Sequence, residues 1–478
     1  MTDYDKLFIG GEWIDPAGSD VIEVHSPYSH QVVGRVPEGT DADVDRAVAA
    51  ARSAFDSGPW PRMDPVERAE AVQKLADSYG TRLDDFAHII TAEMGSPMLF
   101  SQMAQAPMPQ VMLQYFVDLA RSYAFEERRD GVFGPMLVRR EPVGVVGAIV
   151  PWNVPQFVSM SKIAPALVSG STIVIKPAPE TPLDMFLLAE LVAEAGIPEG
   201  VFNVVPAGRE VGEHLVTHPG VDKIAFTGST AAGRRIASLC GEQLKRCSLE
   251  LGGKSAAIVL DDADPATTVP GLEFSGLMNN GQACVAQTRI LVPQSGYDTW
   301  VEAIAEMGRR QVTGDPTEMT TTLGPLVAER QRDRVEGYID IGKSEGARIV
   351  AGGGRPDIDT GWFVEATVFA DVDNSMRIAQ EEIFGPVLCV IPYADEAEAI
   401  AIANDSEYGL AGSVWTADAD HGLDVARQVR TGTFGINQYL MDFTSPFGGF
   451  KASGLGREFG PEGLSAYLEP KSIALPAN

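Results

Sequence analysis

The sequence predicts an α/β fold built on a parallel sheet, with a second α/β unit packed behind it. Short apolar runs alternate with helical stretches from residue 143 onward, and a second series of the same kind begins near residue 255. At 478 residues the chain also exceeds what one hydrophobic core ordinarily fills.

Taken in order, residues 41–58 and 64–95 carry apolar side chains at three- and four-residue intervals, which reads as two amphipathic helices covering a sheet. VGVVGAIVP, a helix near 155–169, STIVIKP, a helix near 182–195, FNVVP and KIAFTGS then follow. That alternation implies parallel strands joined by crossover helices, a Rossmann-like unit whose binding crevice lies at the carboxyl ends of the strands. A nucleotide site is expected there. SAAIVL (255–260), RILVP, AEAIAIAND and AGSVWT open a second series behind a GGK break, so a second domain is expected, with a substrate cleft at the interface. No fixed-period repeat or low-complexity tract interrupts the pattern.

The formal charge, 37 basic minus 66 acidic side chains, is −29. Such a field repels phosphate backbones and anionic lipid surfaces, so no nucleic-acid partner is expected. No stretch approaches the ~20 uninterrupted apolar residues of a membrane span, and no membrane association is expected. The opening MTDYDKLFIGGEWID has neither the order of a secretory signal nor the Arg-rich, acid-poor character of a transit peptide, which predicts a cytoplasmic location. Four cysteines, Cys240, Cys247, Cys284 and Cys389, are too few for a disulfide framework. With no paired Cys/His spacing and six scattered histidines, no catalytic metal is expected.

Four motifs can carry chemistry. In NNGQACVAQTR, Cys284 sits among small and amide-bearing residues at what reads as a helix start, whose free N–H groups would favour the thiolate; a buried structural cysteine is the alternative. LELGGK sets Glu250 against a Gly-Gly pair where backbone can approach a ligand closely. A glutamate near an apolar wall has a raised pKa that suits it to activate water, although a solvated glutamate reads the same way. In VPWNVPQ, Asn153 ends a strand and can donate to a developing oxyanion together with the Cys284 backbone N–H, each donor worth about 3 kcal/mol; it equally suits a helix N-cap. FTGSTAAGRRI runs from strand through a Gly-Ser-Thr turn into a helix, a geometry that seats phosphate. Its spacing is not G-x-G-x-x-G, and an ordinary strand-to-helix connection fits too.

These pieces, with EEIFGPV (381–387) and PFGGFKASGLGRE (446–458), resemble the aldehyde dehydrogenase superfamily in its NAD(P)-dependent, hydrolytic, non-CoA-acylating form. The likeness runs from FIGGEW to EPKSI. Its most specific part is LELGGK followed 34 positions later (284 minus 250) by the cysteine. The resemblance implies oxidation of an aldehyde to a carboxylic acid: Cys284 forms a thiohemiacetal, Asn153 and the Cys284 N–H hold its oxyanion, hydride passes to nicotinamide, and Glu250 activates the water that hydrolyses the thioester. Lys254 and Glu458 would support this from behind. CoA-acylating members usually lack the carboxylate, so Glu250 favours hydrolysis.

For the cofactor, NAD with NADP possible, the resemblance assigns Lys176 to the adenosine ribose and Gly228, Ser229 and Gly233 to the pyrophosphate. Pro151, Trp152, Phe226 and Leu251 fall at the adjoining strand ends, Glu382 and Phe384 at the nicotinamide riboside, and Gly208 and Gly212 beside the adenine. One departure matters. Many NAD-preferring members read KPAE, whose glutamate binds both ribose hydroxyls; here KPAPE puts Pro179 in that place and Glu180 one further on, so dual or NADP use stays open.

The same resemblance makes 1–121 with 142–252 the dinucleotide-binding domain, 253–468 the catalytic domain, and 122–141 with 469–478 a small β oligomerisation element. Edge strands seek partners, so a homodimer or homotetramer is expected. Val154, Phe157, Val158, Ala283, Val285, Phe443 and Phe447 would line the substrate tunnel, an apolar wall with no obvious Arg, which predicts an uncharged aliphatic or aromatic aldehyde. Two alternatives stay open: a catalytically inactive binding protein, or CoA-acylating or esterase chemistry on the same scaffold.

Overall fold

The structure is a computed structural model describing residues 2–476. Met1, and Ala477 and Asn478 at the end of the expected 469–478 element, lie outside the described residues.

The first series folds as expected. Val145–Ile149 (β1), Pro155–Ser169 (α1), Thr172–Lys176 (β2), Lys223–Thr227 (β3), Thr230–Gln243 (α2) and Arg246–Glu250 (β4) carry the site. In space the eight strands run Gly454–Leu455, β4, β3, β1, β2, Phe202–Val204, Leu7–Ile9, Glu12–Ile14. The pairings from β4 to Phe202–Val204 are parallel and the edges are antiparallel. Every residue of β1 and β2 is buried, which is why both read as unbroken apolar runs rather than as alternation. The chain places β2 on one side of β1 and β3 on the other. That reversal opens a crevice at the carboxyl ends of the strands.

The second series forms a seven-stranded sheet ordered Arg348–Ala351, Thr367–Ala370, Val387–Tyr393, Arg289–Pro293, Ala256–Val259, Gly412–Trp415, Gly435–Ile436. Apart from both sheets, Glu126–Gly131, Gly134–Pro142 and Leu468–Ala474 make a separate three-stranded antiparallel sheet. The expected helix over 64–95 is two helices, Pro65–Gly80 and Leu83–Met94. Gly80 weakens the end of the first, and both the N–H and the hydroxyl of Thr81 bond back to the Ser78 carbonyl, tightening the last turn and ending it.

Candidate active site

The strand β1 delivers Pro151, Trp152 and Asn153 to the crevice, and α1 starts just beyond. Val154 occupies the N-cap position and makes no side-chain cap, so the Asn153 amide is not spent on the helix. Asn153 Nδ2 instead donates to the Gln282 carbonyl at 2.9 Å, and its own carbonyl accepts from Asn279 Nδ2 at 2.8 Å. An amide nitrogen carries two protons, leaving one N–H for the cavity that Asn153 lines.

Cys284 does not begin a helix. The helix Pro265–Leu277 ends before it, and Asn279 (φ 54°), Asn280 (φ 62°) and Gly281 (φ 70°) take left-handed backbone that cannot continue a right-handed helix. Cys284 therefore rides on a turn ahead of Arg289–Pro293. The kink is held by side-chain bonds: Asn280 Nδ2 donates to the carbonyls of Gly95 and Pro325, and its Oδ1 accepts from Gly324 N. A Cβ at Gly281 would sit 2.4 Å from the Gly385 carbonyl, so the position requires glycine. Without a helix terminus, burial pushes the Cys284 thiol up to about 12; the Glu382 and Glu250 charges add to this, and backbone N–H groups of Cys284 and Val285 oppose it. The resting group is a thiol.

Glu250 closes β4 with both carboxyl oxygens buried and no hydrogen-bond partner on either. Burial holds its carboxyl well above the usual range and the nearby Glu458 charge adds to the effect, while Lys162 and Arg457 pull the other way. Glu458 accepts from Lys162 Nζ at 2.6 Å and from Ser161 Oγ at 2.7 Å. Lys162 was not legible as a functional residue, because a single lysine in the apolar α1 gives no local sign that a carboxylate 296 positions away will meet it. A Cβ at Gly448 (φ 146°) would lie 2.6 Å from Glu250 Oε1, so bare backbone lets the carboxyl turn in.

Cys284, Glu250 and Asn153 meet in one cavity of about 200 Å³. All seven expected wall residues, Val154, Phe157, Val158, Ala283, Val285, Phe443 and Phe447, line it. Phe157, Phe443, Phe447 and Phe459 pack ring to ring at 5.2–5.9 Å. Sequence reasoning missed Phe459 along with Phe100, Met108, Phe274, Met278, Tyr439, Leu440 and Met441. Amphipathic spacing marks Met108 as apolar, but no local signal says which apolar face meets the cleft.

A second crevice, about 520 Å³, opens at the ends of β1, β2 and β3 and is lined by Lys176, Gly212, Phe226 and Ser229 among the expected residues, and by Arg209, Glu213 and Arg235 among unexpected ones. Ser229 caps α2, its Oγ accepting from Ala232 N at 3.3 Å. A Cβ at Gly233 would meet Leu251 at 2.4 Å and one at Gly228 would meet the Phe226 ring at 2.6 Å, so both glycines are needed for close packing at this helix start. Lys176 Nζ donates to the Ala207 carbonyl at 2.7 Å, and burial lowers its pKa to about 8. A concave site with a fourteen-residue helix pointing its free N–H groups inward fits the phosphates of a dinucleotide.

Nearer the thiol, Trp152 meets Phe384 edge to face at 5.4 Å, Phe384 itself at φ 65°, and Glu382 Oε1 accepts from Gly253 N at 3.0 Å. Pro151 lies at the end of β1. Pro179 and Gly208 are not among the residues lining the crevice; Gly208 is the N-cap of the Arg209–Thr217 helix. Glu180 is ion-paired with Arg330, a contact across 150 positions. Lys254 has its ammonium buried without a hydrogen-bond partner, which lowers it to about 8. Among the described residues no group of three or more His, Cys, Asp or Glu could hold a metal ion, and no helix is long and apolar enough to cross a membrane.

The profile of the aldehyde dehydrogenase family matches residues 13–473. A geranial dehydrogenase of Castellaniella defragrans is 49% identical over 474 residues, covering 99% of both chains. A 3-succinoylsemialdehyde-pyridine dehydrogenase of a Pseudomonas species is 44% identical over 480 residues, again 99% of both. Among solved structures, an aldehyde dehydrogenase of Mycobacterium tuberculosis complexed with NAD+ superposes with a TM-score of 0.98 at 54% identity over 99% of each chain. A mutant of aldehyde dehydrogenase C from Pseudomonas syringae, complexed with NAD+ and octanal, has a TM-score of 0.96 at 40% identity over 99% of this chain and 98% of that one.

Proposed function

The chain belongs to the aldehyde dehydrogenase family, and on that premise we propose that it oxidises an uncharged aliphatic or aromatic aldehyde to its carboxylic acid, with NAD as hydride acceptor and Cys284 as nucleophile. The observation that carries the reading is the meeting of a thiol, an amide donor and an unpartnered buried carboxyl in one apolar cavity.

Cys284 Sγ attacks the carbonyl carbon. Its proton is released to solvent as the C–S bond forms, and Glu250, whose charge acts on the thiol, is kept for the later water step. The oxyanion of the thiohemiacetal is held by the free N–H of Asn153 and the backbone N–H of Cys284. NAD, when bound, would supply the acceptor for the hydride given up by the thiohemiacetal carbon, and Cys284 would then carry the acyl group as a thioester. Once ionised, Glu250, with the high proton affinity that burial confers, takes a proton from the attacking water, and the carboxylic acid leaves as the Cys284 thiolate departs. Lys176, Gly212, Phe226, Ser229 and the α2 terminus would hold the cofactor, with Trp152, Glu382 and Phe384 toward the thiol. Pro179 places no carboxylate against a 2′-phosphate and Glu180 is engaged by Arg330, so NADP is accepted beside NAD.

None of the residues lining the cavity is Lys, Arg or His, so a substrate carboxylate would be buried unpaired. The relatives named for geranial and crystallised with octanal act on or bind apolar aldehydes, which supports the same class. Phe133 is fully exposed at the tip of the hairpin joining Glu126–Gly131 to Gly134–Pro142, and this supports assembly through that sheet into a homodimer or homotetramer. The test is reduced-cofactor absorbance with NAD or NADP and a panel of aldehydes. Wild type should turn over hexanal or benzaldehyde in preference to succinate semialdehyde and Cys284→Ala should be silent; a preference for the semialdehyde overturns the substrate class, and activity in Cys284→Ala overturns the mechanism.

A further inference from the structure

Two of the four cysteines lie together on the far side of the first sheet. Cys240 is in the last turn of α2, and Leu244 (φ 55°) reverses the chain so that β4 returns beneath the helix. The Cys240 carbonyl accepts the Lys245 N–H at 2.9 Å, which tightens the turn and brings Cys247, the second residue of β4, back against Cys240. Cys247 packs against the core cluster that holds Cys240, and each thiol acts on the titration of the other. Alternation along β4 sends Cys247 and Leu249 to one face and Ser248 and Glu250 to the other, so the pair is separated from the catalytic cavity by the sheet itself. Cys240 is buried and Cys247 is partly open to solvent. Lys245 stands on the turn between them, its ammonium bonded to the Val216 and His218 carbonyls, while Lys223 on β3, bonded to Ser248 Oγ at 2.6 Å, lies across the sheet.

We propose that Cys240 and Cys247 form a dithiol oxidation site, distinct from Cys284, at which a hydroperoxide is reduced and an intrachain disulfide is made. The chemistry balances as two steps. The Cys247 thiolate attacks the distal peroxide oxygen, the O–O bond breaks, and the leaving alkoxide or hydroxide takes up a proton; Cys247 is now a sulfenic acid. Cys240 sulfur then attacks the Cys247 sulfur, the S–O bond breaks, and water departs with the Cys240 proton. Two thiols lose two electrons and the peroxide gains them. The electrostatics suit these roles. The neighbouring Cys240 thiol, with the Lys223 charge acting through the sheet, lowers Cys247 to about 6, whereas burial pushes Cys284 up to about 12. Cys247 is the solvent-facing member of the pair and the one that meets peroxide first, with buried Cys240 behind it to resolve the sulfenic acid. Cys389 is buried and donates to the Ile378 carbonyl, which leaves it outside this chemistry.

The test uses the full-length protein treated with hydrogen peroxide, alkylated, and digested with trypsin without reductant. Cleavage after Arg235, Lys245, Arg246 and Lys254 leaves Cys240 and Cys247 on separate peptides unless sulfur joins them. The expected digest contains peptides 236–245 and 247–254 linked, lighter by two hydrogens than their sum and released by reductant. In Cys240→Ala, dimedone should trap a sulfenic acid at Cys247. Recovery of both cysteines fully alkylated after peroxide, with the oxidation found on Cys284, overturns the proposal. The wild-type digest decides this even if Cys240→Ala fails to fold.

Discussion

Replacing Glu250 with glutamine tests the base through two independent quantities. The carboxamide has nearly the shape of the protonated acid, and neither Glu250 oxygen has a hydrogen-bond partner to lose, so Glu250→Gln should fold without penalty. Burial raises the native carboxyl well above its ordinary value. Above that ordinary range the unfolded chain releases its proton while the native chain keeps it, so the wild type loses stability as pH rises, by about 1.4 kcal/mol per pH unit until the native pKa is passed. The glutamine variant has no such slope. Its advantage should be absent in acid and should grow by up to roughly 2.7 kcal/mol between about pH 5 and pH 7, read as the difference in urea-unfolding free energy. Loss of a general base lowers turnover by about 10²–10⁴-fold. The first turnover needs no water activation once the thioester is reached, so a burst of reduced cofactor should survive while steady state collapses. A stability difference that is flat with pH refutes the buried, proton-holding carboxyl; unchanged steady-state turnover refutes the base.

Asn153→Ala should lower kcat by about 10²–10³-fold while NAD still binds, as followed by the quenching of protein fluorescence on titration with the cofactor; an equal loss of binding would mean that the amide shapes the crevice rather than the oxyanion site. Lys162→Met leaves Glu458 buried without its counter-charge, at a cost of about 3–5 kcal/mol in denaturation. It also removes a charge that lowers Glu250, so the acid limb of the kcat profile should move to higher pH, and a move to lower pH contradicts the geometry. Alkylation of Cys284 by iodoacetamide in the cofactor-free protein, followed by peptide mapping, should keep accelerating from neutral pH toward about 12; a plateau near an ordinary thiol value would show that burial does not govern this sulfur.

The second helix and the turn at Cys284 show where local reading stops. The apolar spacing over 64–95 is continuous, yet one residue of poor propensity followed by a threonine that bonds backward splits it. Around Cys284, small and amide-bearing residues have the composition of a helix start. Three successive left-handed residues form there instead, because the Asn280 side chain finds carbonyls of Gly95 and Pro325 at distant points in the chain. The amide that stabilises the kink looks, in one dimension, like an amide that caps a helix.

The order of strands and helices was determined by the sequence alone, because burial on both faces of a parallel sheet writes itself as a local apolar run and crossover helices as a local period. Cys284, Asn153 and Glu250, which the fold brings to one cavity, stood out as candidates in the same way, each inside a motif whose glycines and prolines report the backbone it needs. Only tertiary structure decided what surrounds them: the Lys162–Glu458 pair, the aromatic wall completed by Phe459, and the capture of Glu180 by Arg330. These depend on contacts between residues that local spacing cannot relate, and a charge or a ring acquires its energy from whatever the fold brings within a few ångströms of it.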